Sequence, residues 1–293
     1  MTGGVDLHTH TTASDGTLSP RELVRAAARR GVRVLAVTDH DSTDGLRDAL
    51  EEAEQHRPLT IVPGLEINCD VPGAEVHVLG YLVDHEAAWF QDFLREQRAE
   101  RVARVHRIAA RLGELGLPID PAEVFAIVKE GSAGRPHVAQ VMVQHGYVKS
   151  VREAFDRYLH VNGPANVPRK RLTPAEAVQI IRRARGVPVF AHPGLADRDA
   201  LIPELVEAGL MGIEAIYAEH SAAQTAHYQD LCRRHGLVAT GGSDYHGERS
   251  GRTNPLGHPP VPMSVYAELT EAARRAREHE PPHAPEPTEP ERA

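Results

Sequence analysis

Short apolar runs in this chain end, one after another, in histidine or acid. "VDLHTH" closes on His8 and His10, "VRVLAVTDH" on His40, "GVPVFAHPG" on His192, and "GLVATGGSDYH" on Asp244 and His246, while "LTIVPGLEIN" carries Glu66 near its end. A run of four to eight apolar residues bounded by turn residues reads as a buried strand. Strands that alternate with amphipathic helices build parallel sheets, whose C-terminal ends collect polar residues from distant parts of the chain. The pattern therefore restricts the fold to a parallel, barrel-like α/β architecture with one polar mouth. The length of 293 residues suits a single barrel, since such barrels commonly take about 250 residues.

The first helix shows the local logic. Ser19-Pro20-Arg21-Glu22 forms a capping box with proline at the first helical position, and Gly31 can end a helix running to about Arg30. "DGLRDALEEAEQH" has the spacing of a second amphipathic helix. With "EVHVLGYLV" and "GIEAIY" added, the strand candidates number seven, the first spanning Val5 to His8. Between residues 87 and 168 strand signals give way to helical ones: a long stretch through "FLREQRAERVARVHRIAARL", then Pro121 to Lys129, Pro136 to His145 and Val151 to His160. This segment is predicted to be a helical insertion over the barrel mouth, dividing the barrel into residues 1–86 and 169–275. Residues 276–293, rich in proline and glutamate, are expected to form a disordered tail.

A formal net charge of -8 argues against a broad basic face for duplex nucleic acid, though not against a local anion pocket. Cys69 and Cys232 form no ligand pair by spacing, and no long apolar span or leader is evident, so a soluble, reduced, cytoplasmic protein is expected. Histidine is the informative residue type, at 18 copies beside 5 phenylalanines. A lone histidine is usually a surface or hydrogen-bonded structural residue. His8, His10, His40, Glu66, His192, Asp244 and His246 together at strand ends, with Asp15 close behind the first strand, instead suggest imidazole and carboxylate donors for a metal cluster. Cys69 is read as a small buried hydrophobe.

In order along the chain, "DLHTHTTASDG", "AVTDHDS", "PGLEIN", "EVHVLGY", "AHPG" and "GGSDYH" resemble the motifs of the PHP (polymerase and histidinol phosphatase) superfamily of metal-dependent phosphoesterases. The resemblance covers nearly the whole chain before the tail. It implies a distorted seven-stranded (βα) barrel and two or three divalent metals, manganese first, with iron or zinc as alternatives. His8, His10, Glu66 and Asp244 would hold one metal. Glu66 would bridge to a second held by His77 and His192, and Asp15, His40 and His246 would hold the third. His77 falls early in its strand, where geometry alone makes a structural histidine as plausible as a ligand; the resemblance makes it a ligand.

Within the superfamily the chain is most similar to the nucleotide phosphoesterase branch of 3',5'-nucleoside bisphosphate phosphatases and ribonuclease AM-like 5'-to-3' exoribonucleases, through "GRPHVAQVMVQHGYV" and "GPANVPRKR". That implies substrate contacts from Arg135, His137 and Lys170, and a contact or leaving-group role for His220, which otherwise reads equally well as a helix-cap neighbour. The implied reaction is hydrolysis of a phosphorylated small nucleotide or short single-stranded RNA by a metal-bound hydroxide, without a protein nucleophile. Neither duplex nucleic acid nor membrane is expected as a partner. Histidinol phosphate is the alternative substrate, and a non-catalytic metal-bound PHP module the alternative role.

Overall fold

A computed structural model of the chain describes residues 4–128, 131–168, 172–248, 250 and 254–279. Seven strands form one sheet in chain order: β1 (Val5–Asp6), β2 (Val34–Val37), β3 (Thr60–Val71), β4 (Ala74–Tyr81), β5 (Val187–Phe190), β6 (Gly212–Tyr217) and β7 (Val238–Gly242). The first and last lie side by side. Leu7 N–H donates to Gly241 O at 3.2 Å, and Thr9 bridges Tyr245 in parallel. The buried Asp6 carboxylate ties this seam, accepting from Ser243 N–H at 2.9 Å, Ser243 Oγ–H at 2.6 Å and Gly257 N–H at 2.8 Å. The sheet is thereby curled into a nearly closed barrel filled by Val5, Leu7, Val34, Val62, Leu79 and Val189.

One strand departs from the all-parallel expectation. β4 is antiparallel to both neighbours, because only Pro72-Gly73 separates it from β3 and a two-residue turn can only reverse the chain. Gly73 sits at φ +74°, which glycine adopts without steric cost. The reversal also moves the start of β4 to the end of the barrel where its neighbours finish. His77, early in its strand, is thus opposite Asn68 and at the level of the other strand-end histidines. β1 is shorter than expected, since His8 already lies in the loop that leaves it.

The helices α1 (Pro20–Arg29) and α2 (Leu46–Ala53) pack Leu23, Val24, Leu46 and Ala49 against the outside of β2 and β3. The capping box of α1 is present: Ser19 Oγ accepts from Glu22 N–H and the Glu22 carboxylate accepts from Ser19 N–H at 2.8 Å. The long α3 (Ala88–Glu114), α4 (Pro121–Val128), α5 (Arg135–Gln144) and α6 (Val151–Ala154), which runs into a π-helical turn at Phe155–Leu159, share their own core around Ile108, Leu112, Val124, Val138, Met142 and Leu159. The chain returns through α7 (Pro174–Arg183), α8 (Pro193–Ala196), α9 (Ile202–Glu207) and α10 (Ala222–His235). Finally α11 (Met263–His279) seals the far end of the barrel with Val265, Leu269 and Ala273. Residues 276–279 continue this helix, with Ala276 buried, so the expected tail boundary falls inside it; residues 280–293 lie outside the described residues, as does Lys129. No helix among the described residues is long and apolar enough to cross a membrane.

Candidate metal centre

Loops leaving β1, β2, β5 and β7 and the facing positions of β3 and β4 bring all nine proposed donors together at one barrel mouth. Glu66 stands at the centre, and its two oxygens face different partners. Oε1 lies 2.7 Å from His77 Nδ1 and 2.9 Å from His192 Nε2. Oε2 lies 3.0 Å from His40 Nδ1 and 3.3 Å from both His8 Nε2 and His10 Nε2. Asp244 Oδ1 is 3.3–3.4 Å from the same His8 and His10 nitrogens and from His246 Nδ1. Asp15 reaches His246 Nε2 at 3.2 Å through Oδ1 and His40 Nε2 at 3.8 Å through Oδ2. His192 at φ +28° and Asp244 at φ +52° hold left-handed backbone that non-glycine residues seldom take, a strain typical of functional sites.

These groups hold one another's charge in check. Burial opposes ionisation of Glu66, yet His40, His77 and His8 outweigh it and keep the carboxyl well below its usual range; His246 and His40 do the same for Asp15. Burial likewise disfavours a charged His10, but Asp244 and Glu66 overcome it and push its pKa up to about 9. His8 and His192 are raised by surrounding carboxylates against the same burial. For His40 burial wins, and the imidazole is held well below its usual range.

The donor set fits divalent metal. Asp15 Oδ1, His40 Nδ1 and His192 Nδ1 are shut off from solvent yet make no aligned hydrogen bond, although charged neighbours surround them. Buried polar atoms are otherwise almost always paired. Four overlapping groups have donor atoms within 4.8 Å of one another: His10, Asp15, His40 and His246; His8, His192 and Asp244; His8, His10 and Glu66; and His40, Glu66 and His77. The groupings of His192 with His8 and Asp244, of His10 with Asp15, His40 and His246, and of His40 with Glu66 and His77 cut across the ligand assignment the motifs imply, while the two faces of Glu66 leave it placed between two sets of imidazoles.

The model of the PHP domain matches residues 6–167. The chain belongs to the PHP family. It is 33% identical to the 3',5'-nucleoside bisphosphate phosphatase of Chromobacterium violaceum over 90% of this chain and 96% of that one. It is 33% identical to the 5'-3' exoribonuclease Rnm of Salmonella typhimurium, covering 82% and 84%, and 33% identical to a phosphoribosyl 1,2-cyclic phosphate 1,2-diphosphodiesterase of Eggerthella lenta, covering 83% and 94%. A crystal structure from Bifidobacterium adolescentis described as a metal-dependent phosphoesterase superposes with a TM-score of 0.84 at 30% identity, over 93% of this chain and 97% of that one. With its donor set, this PHP chain is a metal-dependent phosphoesterase.

The proposed substrate residues of this PHP protein fare differently from one another. His137, at the start of α5, is buried beside the Asp15 end of the cluster and lines a cleft of about 1240 Å³ with Ser14, Asp15, Gly131 and Gln140. Its Nδ1 accepts Gly134 N–H at 3.1 Å, which leaves the ring proton on Nε2, and burial lowers its pKa. Arg135 does not line this cleft. Its guanidinium is paired with Glu75, donates to Leu159 O at 3.0 Å and lies 5.5 Å from the Phe155 ring centroid, beside a separate cavity of about 230 Å³. His220 has both ring nitrogens engaged by backbone: Nδ1–H donates to Ala215 O at 3.1 Å and Nε2 accepts Gly194 N–H at 3.2 Å. In this arrangement it pins the turn after His192, and Gly194 is needed there because a Cβ would meet the imidazole at 2.8 Å. Lys170 lies outside the described residues.

Sequence reading missed the residues that hold the ligands. Asp39, next to His40, accepts from Thr11 N–H and Thr11 Oγ–H at 2.7 Å and from Ser14 Oγ–H at 2.5 Å, fixing the loop that carries Asp15. Asn68 lies 2.6 Å from His77 Nε2 and is gripped by the buried Arg101, which also bonds Asp41 Oδ2 at 2.6 Å and so ties α3 to the metal mouth. Glu214 sits fully buried in β6. An acid inside the apolar run "GIEAIY" was the available signal for it; Arg101 offered none.

Proposed function

We propose that this protein hydrolyses nucleotide phosphoesters: the 3'-phosphate of nucleoside 3',5'-bisphosphates, 5'-phosphorylated short RNA taken from its 5' end, or both. The observation that carries this reading is Glu66, shared between two sets of imidazoles, in a donor cluster that opens through Asp15 onto a cleft large enough for a nucleotide, since ligand pockets commonly run to about 300–1,000 Å³. The named relatives acting on bisphosphates and RNA support the substrate class.

We assign two or three divalent ions, manganese before iron or zinc. His8, His10, Glu66 and Asp244 would hold one, Glu66 with His77 and His192 a second, and Asp15, His40 and His246 a third. When bound, such ions neutralise phosphate oxygens and lower the pKa of water towards neutrality. The chain's own contribution is placement. Asp39 and Glu66 fix the donors, and His137 presents a neutral Nε2–H to the cleft as a hydrogen-bond donor to substrate oxygen. No side chain serves as nucleophile; the nearby Ser14 hydroxyl is committed to Asp39. A phosphate reaching Arg135 would have to take the place of Glu75, so we assign that arginine to holding the β3–β4 hairpin. The helical insertion, residues 87–168, supplies Ile127, Val128, Gly131, His137 and Gln140 to the cleft and acts as its cap. Two buried free cysteines accord with a reduced, cytoplasmic setting.

Side-by-side turnover of adenosine 3',5'-bisphosphate, a 5'-phosphorylated oligoribonucleotide and histidinol phosphate by manganese-loaded protein tests the proposal. Release of phosphate or mononucleotide from the first two, well above the third, is the expected result. Preference for histidinol phosphate would overturn the substrate class, and inertness towards every phosphoester would favour a binding module.

A further inference from the structure

Six of the seven strands deliver a proposed metal donor to the mouth, and β6 delivers none. At the corresponding position it carries Glu214, fully buried and 0% exposed. Its Oε1 is 2.9 Å from His8 Nδ1, and its Oε2 accepts the backbone N–H of His192 at 2.8 Å. A buried carboxylate this close to an imidazole nitrogen accepts its proton, so Nδ1–H points to Glu214 and, once the ring gives up its other proton, Nε2 is the nitrogen left to face the centre with a lone pair. There Nε2 lies 3.1 Å from His10 Nε2, 3.3 Å from Glu66 Oε2 and 3.4 Å from Asp244 Oδ1. The second oxygen holds the backbone of His192 in its left-handed conformation, aiming that ring at Glu66 Oε1.

We propose that Glu214 is a positioning residue for the metal centre, acting through His8 and His192 on opposite sides of Glu66 without itself binding metal. This rests on the metal reading of the nine donors. Partners that orient a ligating histidine through its other ring nitrogen typically change metal affinity about 10–100-fold when removed. One carboxylate serving two donors from different strands also couples them, so its loss is expected to weaken more than one ion.

The test is Mn²⁺ titration of the metal-free full-length protein against a chelating dye, for wild type, Glu214→Ala and Glu214→Gln. The alanine variant is expected to bind about 10–100-fold more weakly. Glutamine is isosteric and keeps one acceptor for His8, so it is expected to fall between the two. A second readout separates positioning from packing. In the zinc-loaded protein labelled with ¹⁵N-histidine, the His8 Nδ1–H should give a slowly exchanging downfield proton resonance in wild type and Glu214→Gln. It should be lost in Glu214→Ala. If the alanine variant does not fold, the resonance and the affinity of Glu214→Gln decide: loss of the resonance in an otherwise folded glutamine variant counts against the assignment. Affinity within twofold of wild type for a folded Glu214→Ala, or a stoichiometry lower by one ion with the resonance unchanged, would overturn it. Wild-type protein that takes up no Mn²⁺ would instead overturn the metal reading and this inference with it.

Discussion

At the barrel mouth nine side chains crowd together with one another as their main partners, whereas in the helical insertion the arginines are each engaged by a nearby acid or carbonyl. Arg135 has Glu75 and Leu159 O; Arg104 has Glu75, Val167 O and Asn166; Arg101 has Asp41 and Asn68. The mouth keeps buried polar atoms without an aligned hydrogen-bond partner, as at Asp15 Oδ1 and His40 Nδ1, while the insertion pairs its buried charges within the fold. A buried ion has to be compensated, by protein groups or by a ligand. Compensation by protein at α3 and α5 builds a cap; its incompleteness at the mouth leaves room for metal.

The contrast is broken most severely by removing a carboxylate from the mouth. Glu66→Ala and Asp244→Ala are each expected to lower turnover by on the order of 10²–10³ or more, with His10→Ala close behind, because each loses charge stabilisation at the reacting phosphate. Circular dichroism of the metal-free variants should remain native, since none of the three lies in an apolar cluster. Near-normal turnover by a folded variant at limiting metal would contradict the assignment.

Next in size is the dependence of metal uptake on pH. His10, with its pKa pushed up to about 9 by Asp244 and Glu66, and His8, raised in the same direction, carry protons at neutral pH in the absence of metal. Metal has to displace those protons, so apparent Mn²⁺ affinity should rise with pH up to the folded-state pKa, by about tenfold per pH unit for each proton released. Titrations at pH 6, 7 and 8 in weak buffer, which also record acid released, check the sign. Affinity that is flat or falls over that range would show that these histidines are not protonated ligands.

In the insertion the effects should be smaller and should not touch the metals. His137→Ala is expected to reduce kcat/KM by about 2–10-fold through loss of one hydrogen bond to substrate, worth about 0.5–1.5 kcal/mol, with unchanged metal content. Arg135→Ala should leave kcat/KM within a few-fold and appear instead as a stability loss of about 1–3 kcal/mol in chemical denaturation, because Arg104 remains to neutralise Glu75. A large loss of turnover in Arg135→Ala at unchanged stability would return that arginine to the substrate site.

The mouth was legible in sequence because strand ends write their donors in order next to apolar runs. Even so, His77 looked misplaced until the Pro72-Gly73 turn was seen to reverse β4, a signal present in the text but outweighed by the parallel rhythm. The pairing of Arg135 was not legible because choice of partner is tertiary: nothing near "GRPH" announces Glu75, 60 residues away on a barrel strand. Glu214 and Asp39 are intermediate. Each is an acid within or beside an apolar run, and only the fold shows which imidazole or hydroxyl it holds. The helix α11 was passed over because its charged face joins smoothly to the proline- and glutamate-rich end.

The most direct measurement is an anomalous-difference map from crystals soaked in Mn²⁺. The account predicts at least two peaks at the mouth, within coordinating reach of these side chains, with Glu66 contributing one oxygen to each of two ions. No peak among His8, His10, Asp15, His40, Glu66, His77, His192, Asp244 and His246, or peaks that leave Glu66 untouched, would contradict it.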